Sequence, residues 1–253
     1  MAPYHFLPGF RVRLTERPDY DHWQGGKAYH KGAICTVCDR PLLLLWDLDC
    51  RDPRFFLNGS PVFGSLARLP FYYCWTCCAE MDYCVAAANR IVVLKNEGTF
   101  QGEDFPYQRF PLQFKRQPIG LDKLADVPDE LKKSLSISWT DRVPARAKKP
   151  LEKWLGRRVN SGFDIWWHQL GGVPWLVQGP ERILCPNEEC SWSRRGRRMK
   201  VLGVILNDPP SGLPMVETLR KVERNNGSFD NYVQVVFHIC KGCLTIHAAN
   251  RCD

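Results

Sequence analysis

Cys185-Pro-Asn-Glu-Glu-Cys190, then Met199-Lys-Val-Leu-Gly-Val-Ile-Leu206, then Val233-Gln-Val-Val-Phe237, then Cys240-Lys-Gly-Cys243, form one pattern: two close cysteine pairs flanking two strand-like runs. A hairpin built on those runs brings four thiols together. Four thiolates make a tetrahedral sulfur site whose usual occupant is zinc. The first half carries the same order: Cys35-Thr-Val-Cys38, the run Leu42-Leu-Leu-Leu-Leu-Trp-Asp-Leu48, the run Phe71-Tyr-Tyr, then Cys74-Trp-Thr-Cys77. The expected ligands are therefore Cys35, Cys38, Cys74 and Cys77 in one set and Cys185, Cys190, Cys240 and Cys243 in the other, with two zinc ions per chain. Four protein thiolates leave no open coordination position, so both ions are expected to be structural.

The repeat extends beyond the cysteines. His168-Gln-Leu-Gly171-Gly172 answers His22-Trp-Gln-Gly25-Gly26. Asp208-Pro209 follows the Met199 run as Asp52-Pro53 follows the Leu42 run, and Ala248-Ala-Asn250-Arg251 follows the last cysteine pair as Ala87-Ala-Asn89-Arg90 follows Cys77. Matches of several kinds in one order predict an internal duplication: a mainly β (α+β) fold of two pseudo-symmetric β-rich halves. The halves are placed at residues 1–100 and 101–253, packed as one unit. Asp52-Pro53 and Asn58-Gly59-Ser60-Pro61 read as turns and Ile91-Val-Val-Leu94 as a strand. In the cysteine-free middle, Pro111-Leu-Gln-Phe114 reads as extended, 128–135 as a short helix, 141–150 as a loop and 150–155 as a helical turn.

The chain of 253 residues has ordinary hydrophobic content, at 44%, and twelve cysteines. Its first residues show no signal-peptide pattern, and no apolar stretch reaches membrane-span length, so a cytoplasmic protein with no membrane partner is expected. Eight paired cysteines in a reducing compartment point to metal rather than to disulfides. Cys50 and Cys84 are expected as buried free thiols. Cys78 and Cys252 stand outside both sets, although Cys78 is an alternative ligand to Cys77. His238 and His247 flank the last cysteine pair and could replace a thiolate, but their positions suit the strands.

The formal charge of +8 is concentrated in Arg142 to Arg158 and in the run Arg194, Arg195, Arg197, Arg198 and Lys200. Such clusters suit nucleic acid or an acidic partner, or are merely solvated. No nucleophile elbow, phosphate loop or His-Glu-x-x-His motif accompanies His22 or His168, which argues against catalysis.

The run from His168 to Gln178 with its cysteine pair and apolar strand resembles the YwqG-like family of bacterial proteins. The Cys35-x2-Cys38-Asp-Arg-Pro-Leu42 segment with its two strands and second pair resembles the related programmed cell death protein 2 family. These resemblances cover most of the chain. They imply a non-enzymatic protein binder, either a chaperone for a client such as a ribosomal protein or an immunity protein against a toxin. Lys27-Ala28 stands where the resemblance calls for proline and an aromatic, which implies a degenerate first Gly-Gly turn. The expected partner-binding residues are His168, Gly171, Gly172, Trp175, Arg194, Arg195, Arg197 and Arg198. The alternatives are a zinc-containing nucleic-acid binder and a metal-dependent hydrolase.

Overall fold

The two leucine-rich runs become strands that are covered on both faces, which is why they lack the alternation of a half-exposed strand. They are β3 (Leu43–Asp49), buried throughout, and β11 (Lys200–Leu206), buried beyond its first residue. The structure, a computed structural model, describes residues 7–77, 80–97, 113–131, 143, 145–160, 167–176, 178, 181–206 and 233–252. Their other strands are β1 (Phe10–Leu14), β2 (Trp23–Gln24), β4 (Phe56–Leu57), β5 (Ser60–Pro61), β6 (Arg68–Tyr73), β7 (Met81–Ala87), β8 (Arg90–Asn96), β9 (Gln117–Lys123), β10 (Gln169–Leu170), β12 (Val233–Ile239) and β13 (Ile246–Cys252). Besides a helical turn at 129–131, the described residues hold the helices α1 (Ala145–Leu155) and the single turn α2 (Ser191–Arg194). None of the described helices is long and apolar enough to cross a membrane.

Eleven strands form one sheet in the order β6-β3-β2-β9-β1-β10-β11-β12-β13-β7-β8, while β4 and β5 make a separate hairpin. Every strand pairing is antiparallel. The first eight strands read the same from both ends: hairpin, short strand, arm, then arm, short strand, hairpin. The duplication accounts for this order.

The backbone hydrogen bonds repeat it atom by atom. β3 is bulged between Leu44 and Trp46, and β11 between Val201 and Gly203. The bulged carbonyls of Leu45 and Leu202 accept from the N–H groups of Gly25 and Gly171, at 2.9 and 2.7 Å. Four residues further along each strand, Asp49 N–H donates to His22 Nδ1 and Leu206 N–H to His168 Nδ1, both at 3.0 Å. The carbonyls of the same histidines accept from Ile119 in β9 and Val12 in β1. Gly25, Gly26, Gly171 and Gly172 all have positive φ. The first Gly-Gly turn is thus fully formed, and the degeneracy implied by Lys27-Ala28 does not extend to the backbone.

The boundary at residue 100 does not coincide with a break in the sheet. β1 joins the second half through β10, and β9 joins the first half through β2. The two arms pair with each other between the halves, with Val12 opposite Leu121 and Leu14 opposite Ile119. Pro118 and Gly120 had masked β9 in the sequence, since both are poor strand residues.

The sheet curls so that the inner faces of the hairpins meet. Phe71 of β6 packs edge-on against Phe237 of β12, with ring centroids 4.7 Å apart, and Trp46 packs edge-on against His168 at 6.0 Å. Trp46 also covers Gly203, its counterpart beside the other bulge, so a large residue in one half meets a small one in the other. β7 and β13 pair across the halves, with His247 opposite Asp82. Tyr83 reaches from β7 to the edge of β6, where its hydroxyl donates to the Pro70 carbonyl and accepts the Tyr72 N–H, each at 2.9 Å.

Two readings need amendment, and others fall partly outside the described residues. Ala87-Ala-Asn-Arg90 runs from the end of β7 into β8, whereas Ala248-Ala-Asn-Arg251 lies inside β13, so that sequence match is not a structural one. Residues 145–149 are helical rather than looped, and Pro150 lies inside α1, where buried Ala147 and Leu151 hold the helix to the core. Of the expected helix at 128–135, residues 129–131 are helical and the rest lies outside the described residues, as do Asp208-Pro209 and Pro111-Leu112. Asn58 and Gly59 form the expected turn, and Asp52 caps a 3-10 turn at Pro53–Phe55.

Gly171 gives a direct test. A Cβ there would lie 2.3 Å from the Pro8 carbonyl oxygen and 2.8 Å from Leu7 Cβ, whereas a Cβ on Gly59, also at positive φ, meets nothing within 4 Å. Gly59→Ala is expected to cost about 1 kcal/mol, the left-handed penalty alone. Gly171→Ala should cost about 3 kcal/mol or more, because the backbone of the β1 arm must also move. Urea unfolding midpoints of the two variants check the difference.

Candidate metal centres

Both four-cysteine sets assemble. Within each, the sulfur atoms all lie within 4.8 Å of one another. In the first set Cys35 and Cys77 Sγ are 3.6 Å apart, and Cys38 and Cys74 Sγ 3.7 Å. In the second set Cys185 and Cys243 Sγ are 3.5 Å apart, and Cys190 and Cys240 Sγ 3.6 Å. A disulfide needs about 2.05 Å. A tetrahedron of sulfurs about 2.3 Å from a central zinc ion has edges of about 3.8 Å. The observed separations match the metal geometry, and the described cysteines are free thiols.

Two of the cysteine pairs use one backbone template. At Cys35 the sulfur accepts the Val37 N–H at 3.5 Å and the carbonyl accepts the Asp39 N–H at 3.0 Å. At Cys240 the sulfur accepts the Gly242 N–H at 3.4 Å and the carbonyl accepts the Leu244 N–H at 2.8 Å. Asp39 and Leu244, each directly after the second cysteine, take positive φ of 54° and 58°. The turn aims both sulfurs and an amide dipole at the same point. The Cys-x2-Cys spacing was visible in the sequence, but nothing in Asp39 or Leu244 announced the left-handed backbone.

The Cys185–Cys190 pair is built differently. Cys190 precedes α2, and Ser193 Oγ donates to the Cys185 carbonyl at 2.6 Å. A Cβ on Gly242 would sit 2.7 Å from the Trp192 ring and 2.9 Å from Cys190 Sγ, so the loop requires glycine there. Further polar groups touch the sulfurs: Asn96 Nδ2 donates to Cys35 Sγ at 3.1 Å, and Thr245 Oγ1 lies 3.1 Å from Cys243 Sγ. Thr245 could have been found from its spacing to Cys243. Asn96 had no such signal, because it arrives from the end of β8.

The thiols of each set cannot all ionise without a cation among them. In the first set the hydrogen bond with Cys74 lowers Cys35 to about 4, while that same bond and burial drive Cys74 up and burial raises Cys77 to about 12. In the second, burial raises Cys185 and brings Cys240 to about 11. Burial also opposes ionisation of Cys190, but the N–H groups of Ser193 and Trp192 outweigh it and lower that thiol to about 7. Cys35 and Cys190 ionise readily while Cys74, Cys77, Cys185 and Cys240 hold their protons, so a metal ion must displace those protons to bind.

The other expected site residues lie in two settings. His168, Gly171 and Trp175 are buried and Gly172 is half-buried, so His168 and the glycines build the turn and Trp175 packs in the core; the three buried residues offer no surface to a partner. Arg194, Arg195, Arg197 and Arg198 lie on the loop after Cys190, where all four are exposed, and the Arg197 guanidinium stacks 5.0 Å from the Trp192 ring. His238 and His247 face each other across β12 and β13 and belong to neither sulfur set. Cys50 is buried and its thiol is raised by burial to about 12, whereas Cys84 is half-buried. Cys78 lies outside the described residues, and Cys77 occupies the ligand position.

The sequence missed a second buried role for histidine. His22 Nδ1 accepts from Asp49, so Nε2 carries the hydrogen and donates to Asp52 at 2.8 Å. Burial opposes the Asp52 charge, but the bonds from His22 and Arg54 outweigh it and lower its pKa. Both ring nitrogens of His22 are thus spent inside the fold.

No protein-family model, curated protein or solved structure matches the chain. Its two halves are the nearest comparison it offers, and each carries one set of four cysteines.

Cys240→Ser should lower the bound metal to one equivalent and reduce the thermal midpoint, because three thiolates hold the ion poorly. Cys50→Ser should keep two equivalents and cost about 1–3 kcal/mol from the buried hydroxyl. Elemental analysis and thermal melts of both variants are the check. Metal affinity should also fall as pH falls, since thiols with pKa raised to about 11 and 12 must lose protons to bind. A chelator competition series across pH measures that slope, and proton release into weak buffer measures the stoichiometry.

Proposed function

We propose that the protein is a non-enzymatic module that binds another protein, with a zinc ion held in each four-thiolate set as a folding staple. The carrying observation is the ligand count: four buried or half-buried protein thiolates at each point fill a tetrahedral ion and leave no position for substrate. Two further observations support the same reading. His22 has both ring nitrogens engaged, and His168 is wholly buried with Nδ1 engaged, so neither is placed to exchange a proton with a substrate. The chemistry of the donor set selects zinc over harder cations, since thiolates suit soft or borderline metals. A chaperone for one client, or an immunity protein against one toxin, in the cytoplasm, is the role that the YwqG-like resemblance favours.

One observation favours nucleic acid as a second reading. The arginine run lies on the loop of the second sulfur set, beside an aromatic ring. A salt titration separates the two. Affinity capture of the tagged protein from its native host, followed by reconstitution with the purified partner, should give a stoichiometric protein complex. A nucleic acid as the bound species, with log K falling linearly and steeply with log salt, would replace the protein-binding reading.

A further inference from the structure

We infer that the outer face of the first-half hairpin is a docking groove for an acidic segment of a partner protein. This inference rests on the protein-binding reading and locates its surface.

The two halves show what each outer face is for. The paired bulges and the registers Asp49 opposite Arg68 and Leu206 opposite Gln234 align the hairpins residue by residue. On that alignment Asp47 stands where the second half has Val204, Asp49 where it has Leu206, Arg68 where it has Gln234, and Tyr29 where it has Trp175. In the second half, Val201, Val204, Leu206 and Val236 form one apolar cluster with Trp175 and with Ala147 and Leu151 of α1. That face is covered by the chain's own helix. In the first half the same face is polar, and side chains such as Tyr29 and Arg68 rather than a described helix lie over it. A groove of about 800 Å³ remains there, between the Gly25–Gly26 turn, β3 and β6.

The walls of the groove are charged. Arg68 joins Asp47 at 2.8 Å and Asp21 at 2.9 Å, and Tyr29 donates its hydroxyl to Asp47 at 3.1 Å. Both carboxylates are thus engaged by Arg68. Lys27, Lys115 and Arg116 line the same groove and form no ion pair among the described residues. Arg116 lies over the Trp23 ring at 4.0 Å, which holds its guanidinium in place. Tyr29, 46% exposed, and the half-buried Phe114 add apolar surface between the cations.

Three cations outside any described ion pair, set around aromatic surface, suit carboxylates on a segment that also carries apolar side chains. In the second half the corresponding face accommodates a helical segment of the chain's own. Asp21 and Asp47 offset part of the charge of Arg68, Lys27, Lys115 and Arg116, and the modest net charge that is left suits a few discrete carboxylates better than a closely spaced phosphate backbone.

The test uses the full metal-loaded chain and three labelled probes: a peptide of glutamate, leucine and alanine, its lysine-for-glutamate counterpart, and an oligothymidylate. The acidic peptide should bind best. Lys27→Glu with Arg116→Glu should weaken it roughly tenfold, as should the milder Lys27→Gln with Arg116→Gln to a smaller degree, with thermal midpoints kept. Arg194→Glu with Arg198→Glu, on the second sulfur loop, should leave it unchanged. Equal binding of the basic peptide, preference for the oligothymidylate, or no effect of the groove variants would overturn the inference. A native protein complex that forms undiminished with the groove variants would overturn the groove alone and leave the protein-binding reading standing.

Discussion

One hydrogen bond, made twice, determines the shape of this molecule. A glycine N–H in each half donates to the carbonyl of a bulged leucine, from Gly25 to Leu45 and from Gly171 to Leu202. A bulge leaves one residue out of the ladder, and its carbonyl then needs a partner from elsewhere. Glycine supplies it because the turn requires positive φ and a close approach to another backbone. The histidine three residues before each glycine closes the arrangement by accepting a strand N–H with its ring and an arm N–H with its carbonyl. Short strand, long strand and arm are thereby fixed to one another without a large side chain. The His-x-x-Gly-Gly motif is thus a backbone clamp, and both halves carry it because both carry the bulge that it closes.

The sulfur sets act at a different place for a different reason. The sheet order supplies hydrogen bonds along the strands, but the loops before β3 and β11 and after β6 and β12 have few ladder partners. In each half four cysteines from two loops meet at one point, where an ion would tie the loops together. The left-handed residues Asp39 and Leu244 are unfavourable alone and persist because the surrounding loop fixes them. Burial and the hydrogen bonds at the sulfurs hold Cys35 and Cys190 low and Cys77 and Cys240 high, so the thiols of each set differ in how readily they ionise.

Duplication gave two equivalent outer faces, and the chain treats them differently. Val204 and Leu206 make one face apolar and α1 covers it. Asp47 and Arg68 make the other polar, with an ion-pair network that keeps its own partners. Burying an apolar face against an internal helix adds stability, whereas the polar face is closed by its own ion pairs and hydrogen bonds. The inner faces show the opposite relation. There the halves complement each other, with Trp46 filling the space over Gly203 and Phe71 meeting Phe237.

The sequence by itself determined the β class, the duplication and the two sets of four clustered cysteines, because each rests on short-range spacing that a hairpin converts directly into proximity. Leu42 to Leu48 and Met199 to Leu206 were legible as strands because both faces are buried and so no polar residue interrupts them for long. Tertiary structure alone decided the rest. β9 was hidden because Pro118 and Gly120 disguise a strand whose stability comes from its neighbours β1 and β2. Ala248-Ala-Asn-Arg251 misled because a four-residue match carries no register, and register is set by cross-strand pairing. His168 and Trp175 looked like surface anchors because sequence gives residue type but not which face of a curled sheet is inside. The exchange of arms between the halves was equally invisible: β1 and β9 find each other about a hundred residues apart in the chain, and only the closed sheet shows which half each completes.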